Sequence, residues 1–201
     1  MFKILELRYV EMIRWYFCKY FTNKETMRSS VLGHSMFLDL RTDGISTALA
    51  KYGQREVDML SLLREAVTPD MHVLDLGGNI GYYSLEFGRL LGATGKLLVV
   101  EPDPRNIKTL RMNMSNIQEV PVVLQPLAIS DKPGSATLIS AVKSNLSTLV
   151  VHDTNVVSDV IKVDTKTIDQ VATSYLDGKV DFIRMDIEGA EALVLPACRG
   201  M

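Results

Sequence analysis

The segment His72-Val73-Leu74-Asp75-Leu76-Gly77-Gly78-Asn79-Ile80-Gly81 decides the fold of this 201-residue chain. A short, mostly apolar run is typical of a buried strand, and the glycines that follow it indicate a turn. After the turn, Ile80, Tyr83, Phe87 and Leu90 recur at helical spacing. A strand, a glycine-rich turn and a helix in this order predict the first half of a β–α–β unit.

The same pattern occurs again further along the chain. Lys96–Val100 predicts a second buried strand, and apolar residues at helical spacing follow it. Further strands are predicted at Val120–Leu127 and Val180–Met185, with a weak helix at Lys166–Leu176. Because strands alternate with helices, the sequence predicts an α/β fold with an open, mostly parallel, Rossmann-like sheet.

One region interrupts this alternation. Ala136–Ile139 and Val160–Val163 resemble two short strands with a long loop between them, and no helical period joins them. We interpret about 135–163 as a hairpin-like insertion in a domain that covers 30–201. Long loops on a rigid sheet often determine specificity, so Ser144–Thr148 is the expected place for acceptor contacts.

Residues 1–29 are interpreted as an N-terminal extension. Val10, Ile13, Phe17 and Tyr20 recur at helical spacing, which predicts an amphipathic helix. Packing of this apolar face on the chain's own domain is the favoured interpretation. Contact with a partner or peripheral contact with a membrane surface is the open alternative.

Composition excludes several classes of protein. The net charge is -2 and no basic cluster stands out, which argues against a nucleic-acid partner. Cys18 and Cys198 are far apart in sequence and lack the spacing of a metal site or a disulfide framework. With no apolar run long enough to span a bilayer, we expect a cytoplasmic protein without a transmembrane segment.

The glycine-rich turn predicts a ligand site at a helix N-terminus. Gly77, Gly78 and Gly81 let a ligand approach the backbone, where free N–H groups suit a carboxylate or phosphate. A dinucleotide fingerprint requires glycine where Asn79 stands, and the carboxylate of Asp75 would repel a pyrophosphate. S-adenosylmethionine has no phosphate, but it has an ammonium, a carboxylate and a sulfonium. Its charges therefore complement this loop.

A second acid supports the same ligand. Glu101 follows the second predicted strand, where a carboxylate can accept hydrogen bonds from ribose hydroxyls. The alternative for Glu101 is that it caps the following helix. For Asp103, which precedes Pro104, such an N-cap is the stronger interpretation.

Four blocks of this sequence resemble the FkbM-type methyltransferases, and the match as a whole spans about residues 30 to 200. The blocks are Val73–Tyr83, Val100–Asp103, Ala128–Asp131 and Arg184–Glu191. This resemblance implies a class I methyltransferase fold, S-adenosylmethionine as cofactor, and O-methylation of a sugar or natural-product hydroxyl. The acceptor would then be a small molecule or a glycan.

The candidate cofactor-binding residues lie in the first three blocks. They are Asp75, Gly77, Gly78, Asn79, Gly81, Tyr82, Glu101, Pro102, Ala128 and Asp131. Ala128 and Asp131 are placed beside the adenine ring. A plain turn at Ser130–Gly134 is the equally good alternative for Asp131.

The fourth block holds the candidate catalytic acids. Asp186 follows a predicted strand at the edge where open α/β sheets bind their ligands, and we assign it to acceptor positioning or proton acceptance, with Glu188 beside it. Glu188 and Glu191 could instead only favour the dipole of the next helix, which we prefer for Glu191. The sequence supplies no further ligands for a cation, so no metal is expected.

Members of this family usually continue beyond the fourth block with a helix and further strands. We therefore expect the C-terminal strands of the open sheet to be lacking here, with Val180–Met185 at the sheet edge and self-association as a result. Two other functions stay open. One is a module that binds the cofactor without catalysis, and the other, less favoured, is a nicotinamide oxidoreductase.

Overall fold

Helices and strands alternate along most of the computed structural model, as the sequence predicts. The structure describes residues 2–141, 157–187 and 189–198. The helices are α1 Phe2–Phe21, α2 Ile45–Tyr52, α3 Val57–Ala66, α4 Tyr82–Leu90, α5 Pro104–Met114, α6 Ile168–Tyr175 and α7 Glu191–Val194. The strands are β1 Thr26–Val31, β2 His34–Asp39, β3 His72–Leu76, β4 Lys96–Val100, β5 Val122–Gln125, β6 Ala128–Ile129, β7 Gly134–Ala141, β8 Val157–Lys166 and β9 Phe182–Met185.

The central sheet is parallel and confirms the predicted α/β class. Its described strands have the order β5-β4-β3-β9, and each neighbouring pair is parallel. Val73 on β3 lies opposite Leu97 on β4 and Phe182 on β9. Because all these strands run in one direction, the loops that follow β3, β4 and β9 meet at one edge of the sheet. Among the described strands, β5 and β9 lie at the two edges of this sheet.

Side chains of alternate residues on β3 and β4 enter two different cores. Val73 and Leu97 pack with Phe87 of α4 on one face of the sheet. Leu74 and Leu98 pack with α6 on the other face. Successive side chains of a strand point to opposite faces of the sheet, and here both faces are covered. The strand sequences are therefore almost continuously apolar.

The predicted insertion contains the expected hairpin. β7 and β8 pair antiparallel, with an irregularity between Ser140 and Ala141. The short strand β6 pairs parallel to β8, so that β6, β8 and β7 form a three-stranded sheet separate from the central one. Ser144–Thr148 lies outside the described residues.

The antiparallel hairpin β1–β2 and the helix α2 were not predicted from the sequence. Met27, Ser29 and Val31 of β1 are buried in alternation. Because Ser29 is polar, this alternation cannot be recognised as an apolar one. The side chain of Asn113 on α5 bonds both the backbone N–H and the carbonyl of Phe37, which ties β2 to the central domain.

Helix α1 forms as predicted, but the apolar face expected to pack on the domain is exposed. Among residues 7–21, the part of the helix whose side-chain burial is described, Trp15 and Cys18 are buried, whereas Val10, Ile13, Phe17 and Tyr20 are 52–66% exposed. The favoured packing interpretation is therefore wrong for this face, because aromatic residues occur around most of the helix and periodicity could not single out the buried side. No described helix is long and apolar enough to cross a membrane.

Candidate functional site

A cavity of about 370 Å³ opens at the carboxyl ends of the parallel strands. This volume is within the usual range for a small-molecule site. Several residues predicted to bind the cofactor or to act on the acceptor line it, and these are Gly77, Gly78, Asn79, Tyr82, Glu101, Pro102, Ala128 and Asp186. Asp75, Gly81 and Asp131 are not among the described lining residues.

The glycine loop is wound tightly against the sheet. Gly77 has a φ of +83°, and a Cβ at this position would overlap the carbonyl oxygen of Asp186. Only glycine fits both this backbone conformation and this close approach. The loop after β3 is therefore pressed directly against the chain that follows β9.

The backbone N–H groups of the loop have internal partners, which corrects the expectation of free donors. The N–H groups of Gly77 and Gly78 donate to the carbonyl of Val100 at 2.9 and 3.1 Å, and that of Gly81 donates to the carbonyl of Gly78 at 2.8 Å. The N–H groups of the two residues between them donate to the side chains of Glu101 and Asn79, both at 2.8 Å. A ligand carboxylate therefore needs its donors elsewhere.

Glu101 is buried at the wall of the cavity. Its carboxylate accepts hydrogen bonds from the N–H groups of Asn79 and Asp103 at 2.8 and 2.9 Å, and from the side chain of Asn106 at 3.2 Å. Burial raises its pKa to about 7, against the hydrogen bonds that lower it. The neighbouring Asp103 is the N-cap of α5 and accepts from the N–H of Arg105, as the alternative interpretation of that residue expects.

Asp75 lies behind the loop with its carboxylate already engaged. It is fully buried and accepts from the hydroxyl of Ser84 at 2.5 Å and from Nη1 of Arg184 at 3.0 Å. Both acids therefore lie near the glycine loop, but Glu101 lines the cavity and Asp75 is not among the described lining residues. A direct contact of Asp75 with the cofactor stays a prediction.

Arg184 connects the loop to the candidate catalytic acid, a role that the sequence analysis did not assign. Nη1 also bonds the carbonyl of Gly77 at 3.2 Å, and Nη2 bonds the carboxylate of Asp186 at 2.7 Å. The guanidinium stacks on the ring of Tyr83, and Arg184 and Tyr83 both line the cavity. A single cation within an apolar strand was the signal available in the sequence, because a buried charge requires a partner.

The segment before α3 forms another wall of the cavity, which the sequence analysis also missed. Arg55 and Glu56 line it, with Nη2 of Arg55 2.8 Å from Oε1 of Glu56. The hydroxyl of Tyr83 donates to Glu56, and this bond and the charge of Arg55 lower the pKa of Glu56 although partial burial opposes them. Burial and the Glu56 carboxylate raise the pKa of Tyr83.

The remaining predicted acids differ in where they lie, and one of them is outside the described residues. Asp186 is exposed and lines the cavity, whereas Glu188 is outside the described residues. Glu191 accepts hydrogen bonds from the N–H groups of Ile187 and Gly189, both at 2.9 Å, so it stabilises the turn before α7. Asp131 accepts from the hydroxyl of Ser130 at 3.1 Å, and its placement beside the adenine stays a prediction.

A parallel sheet with a glycine loop after one strand and an acid after the next defines the class of nucleoside-binding α/β enzymes. The model of the FkbM methyltransferase domain matches residues 75–201. This chain belongs to the FkbM methyltransferase family, and its cofactor is the S-adenosylmethionine that methyltransferases of this kind use.

Individual relatives match shorter parts of the chain. A protein from Thermoplasma volcanium with the name "Probable cobalt-precorrin-6B C(15)-methyltransferase (decarboxylating)" is 31% identical over 77 residues, 38% of this chain and 36% of that protein. The structure of Methanocaldococcus jannaschii TYW2 in complex with AdoMet is 16% identical with a TM-score of 0.40, covering 53% of this chain and 46% of that chain. Trm5b from Pyrococcus abyssi is 17% identical with a TM-score of 0.38, covering 54% and 31%. The chain thus spans less than half the length of these relatives.

The cavity has the chemistry that this cofactor requires. The carboxylate of Glu101 is a hydrogen-bond acceptor for hydroxyl groups, and Leu127, Ala128, Ile129 and Leu138 supply an apolar wall for a flat ring. Charged side chains of both signs also line the cavity, and these are Arg55, Glu56, Arg184 and Asp186. In the described part of the chain, no group of three or more His, Cys, Asp or Glu side chains lies together as metal ligands do.

Proposed function

We propose that this chain transfers the methyl group of S-adenosylmethionine to a hydroxyl of a sugar or natural-product acceptor. One observation supports this most directly: Glu101, after β4, and Asp186, after β9, line the same cavity. β3 lies between β4 and β9. The proposed nucleoside-binding acid and the proposed catalytic acid therefore flank the glycine loop.

The proposed orientation of the cofactor follows from the polarity of the cavity. Glu101 accepts a hydrogen bond from a ribose hydroxyl, and the adenine packs against Leu127, Ala128 and Leu138. Pro102 and Asn79 then border the ribose. This orientation directs the sulfur and its methyl group towards Arg184 and Asp186.

Asp186 would position the acceptor hydroxyl and receive its proton. The cofactor, when bound, would supply a methyl group on a positively charged sulfur, and the bond from carbon to sulfur would break as the bond from carbon to the acceptor oxygen forms, releasing a neutral thioether. Nη2 of Arg184 bonds one carboxylate oxygen of Asp186 at 2.7 Å, which fixes the orientation of the side chain and leaves the other oxygen for the acceptor. Glu188 is the second candidate for proton acceptance.

The proposal is tested by cofactor binding and by product release. We expect the chain to bind S-adenosylmethionine and to release S-adenosylhomocysteine with at least one member of a panel of sugars, polyols and phenols. Asp186→Asn should keep cofactor affinity and lower turnover about 100-fold or more, because the proton acceptor is lost. Asp177→Asn, at an exposed carboxylate paired with Lys96, is the matched control and should leave turnover unchanged.

Each failure has a different meaning. If S-adenosylmethionine does not bind, the proposed function is wrong. If it binds and no acceptor in the panel is methylated, a module that binds the cofactor without catalysis is favoured. If Asp186→Asn keeps full turnover, the catalytic assignment of Asp186 is wrong.

A further inference from the structure

We propose that Arg55 and Glu56 bind the amino-acid end of the cofactor, Glu56 the ammonium and Arg55 the carboxylate. This inference rests on the proposed function and extends it to residues that precede the family match at 75–201. Both side chains line the cavity and are partly accessible, at 31% for Arg55 and 50% for Glu56. A neighbouring cation and anion are complementary to a zwitterion.

The groups that the sequence offers for this end are already engaged. The N–H groups of residues 77–81 have internal acceptors, so they are not the donors for a ligand carboxylate. Asp75 is bonded to Ser84 and Arg184 behind the loop. Arg184 in turn is shared between Asp75 and Asp186. Arg55 and Glu56 also bond each other, but at 31% and 50% exposure they are more accessible to a ligand than Arg184 at 15% and Asp75 at 0%.

Two tyrosines attach this pair to the glycine loop. The hydroxyl of Tyr82 accepts from the N–H of Arg55 at 2.8 Å and donates to its carbonyl at 2.7 Å. The hydroxyl of Tyr83 donates to the carboxylate of Glu56. Because Tyr82 and Tyr83 directly follow Gly81, the pair and the loop are held in one fixed geometry.

The backbone at Glu56 is strained in a way that this role explains. Glu56 has a φ of 46°, in the left-handed region that is uncommon for residues other than glycine. Such conformations persist where the surrounding structure enforces them and are concentrated at ligand sites. Here Tyr82 bonds the backbone of the preceding Arg55, Tyr83 bonds the Glu56 carboxylate, and Glu56 lines the cavity.

Three ligands that share a neutral thioether sulfur separate the contributions of the two charges. S-adenosylhomocysteine carries both the ammonium and the carboxylate, S-adenosyl-3-thiopropylamine only the ammonium, and 5′-methylthioadenosine neither. We expect Glu56→Gln to weaken binding of the first two by about tenfold or more and to change binding of the third less than about twofold. Arg55→Gln should weaken only S-adenosylhomocysteine, by about tenfold.

One control variant and one substitute variant complete the binding measurements by calorimetry. Asp58→Asn removes an exposed charge from the first turn of α3 and should change no affinity. Tyr83→Phe keeps the ring against Arg184 but loses the bond to Glu56, so it should weaken binding of the two ligands that carry an ammonium. It takes the place of Glu56→Gln if that variant does not fold. The proposed function itself is checked by Glu101→Gln, which should weaken all three ligands.

The outcomes separate the two proposals. If the unmodified chain binds none of the three ligands, both proposals are wrong. If it binds them and Glu101→Gln weakens all three, but folded Glu56→Gln and Arg55→Gln bind S-adenosylhomocysteine like the unmodified chain, only the assignment of the pair is overturned. The assignment of the pair is also overturned if Glu56→Gln weakens binding of 5′-methylthioadenosine as much as binding of S-adenosylhomocysteine, because 5′-methylthioadenosine has no group for Glu56 to bind.

Discussion

The guanidinium of Arg184 lies over the ring of Tyr83, with 4.2 Å between the guanidinium carbon and the ring centroid. This contact joins the end of β9 to the first turn of α4 across the glycine loop. A cation over an aromatic face is stabilised by the ring quadrupole, more strongly when both are shielded from water. The same guanidinium also neutralises Asp75, so one side chain connects the fold to the site.

We expect Arg184→Ala to lower the free energy of unfolding by about 3–5 kcal/mol, since it leaves the fully buried Asp75 carboxylate without its cation. Urea denaturation measures this loss. Lys179→Ala removes an exposed cation from the same region and should cost less than about 1 kcal/mol. A similar small cost for Arg184→Ala would show that Asp75 is not dependent on this ion pair.

Gly77→Ala should lower the free energy of unfolding by more than about 2 kcal/mol, because it adds a steric overlap with the Asp186 carbonyl to roughly 1–2 kcal/mol of left-handed backbone strain. Gly178→Ala is the matched control. Its φ of +74° is similar, but no atom lies within 4 Å of the added Cβ. The difference between the two variants in urea denaturation therefore measures the close approach of the loop to the chain after β9.

Because the pKa of buried Glu101 is raised, we expect the stability of the chain to depend on pH in a way that a Glu101→Gln variant lacks. Burial raises its pKa from 4.5 to about 7, so the folded chain holds this proton more tightly than the unfolded chain does. The contribution of Glu101 to the free energy of unfolding, about 3 kcal/mol in all, is fully present below pH 4.5 and is lost as the pH rises through 7. Unfolding free energies of both chains between pH 4 and pH 8 measure it.

The same titration should affect nucleoside binding in the opposite direction. Ionised Glu101 is a better acceptor for a ribose hydroxyl, so affinity for 5′-methylthioadenosine should rise as the pH increases through about 7. Calorimetry across this range tests it. An affinity that does not vary with pH would separate Glu101 from the ribose.

Helix α1 should be attached to the domain through Trp15 and not through the aromatic residues predicted to pack. Trp15→Ala is expected to cost about 3–5 kcal/mol, since this side chain is 1% exposed. Phe17→Ala, at a residue 58% exposed, should stay within about 0.5 kcal/mol. Comparable losses from both variants would contradict the burial pattern. Contact of this exposed face with a partner or with a membrane surface stays a prediction.

Local patterns predicted the central sheet because each of its strands is short, apolar and bounded by residues that break it. His72–Leu76 and Lys96–Val100 have the same bounds in the sequence and in the structure. The hairpin β1–β2 was missed because its buried face includes Ser29, and its contact with Asn113 is made far along the chain. Pairing of this kind leaves no periodic signal.

The sequence by itself determined the fold class, the family and the loop that borders the cavity, because a strand, a glycine turn and a helix are local features of consecutive residues. Only the tertiary structure decided which charges face the cavity. Asp75 and Arg184 pair across neighbouring strands, and the segment with Arg55 and Glu56 is attached to the loop by tyrosines 27 residues away. Such partners depend on how strands and helices pack, which the order of residues does not show directly.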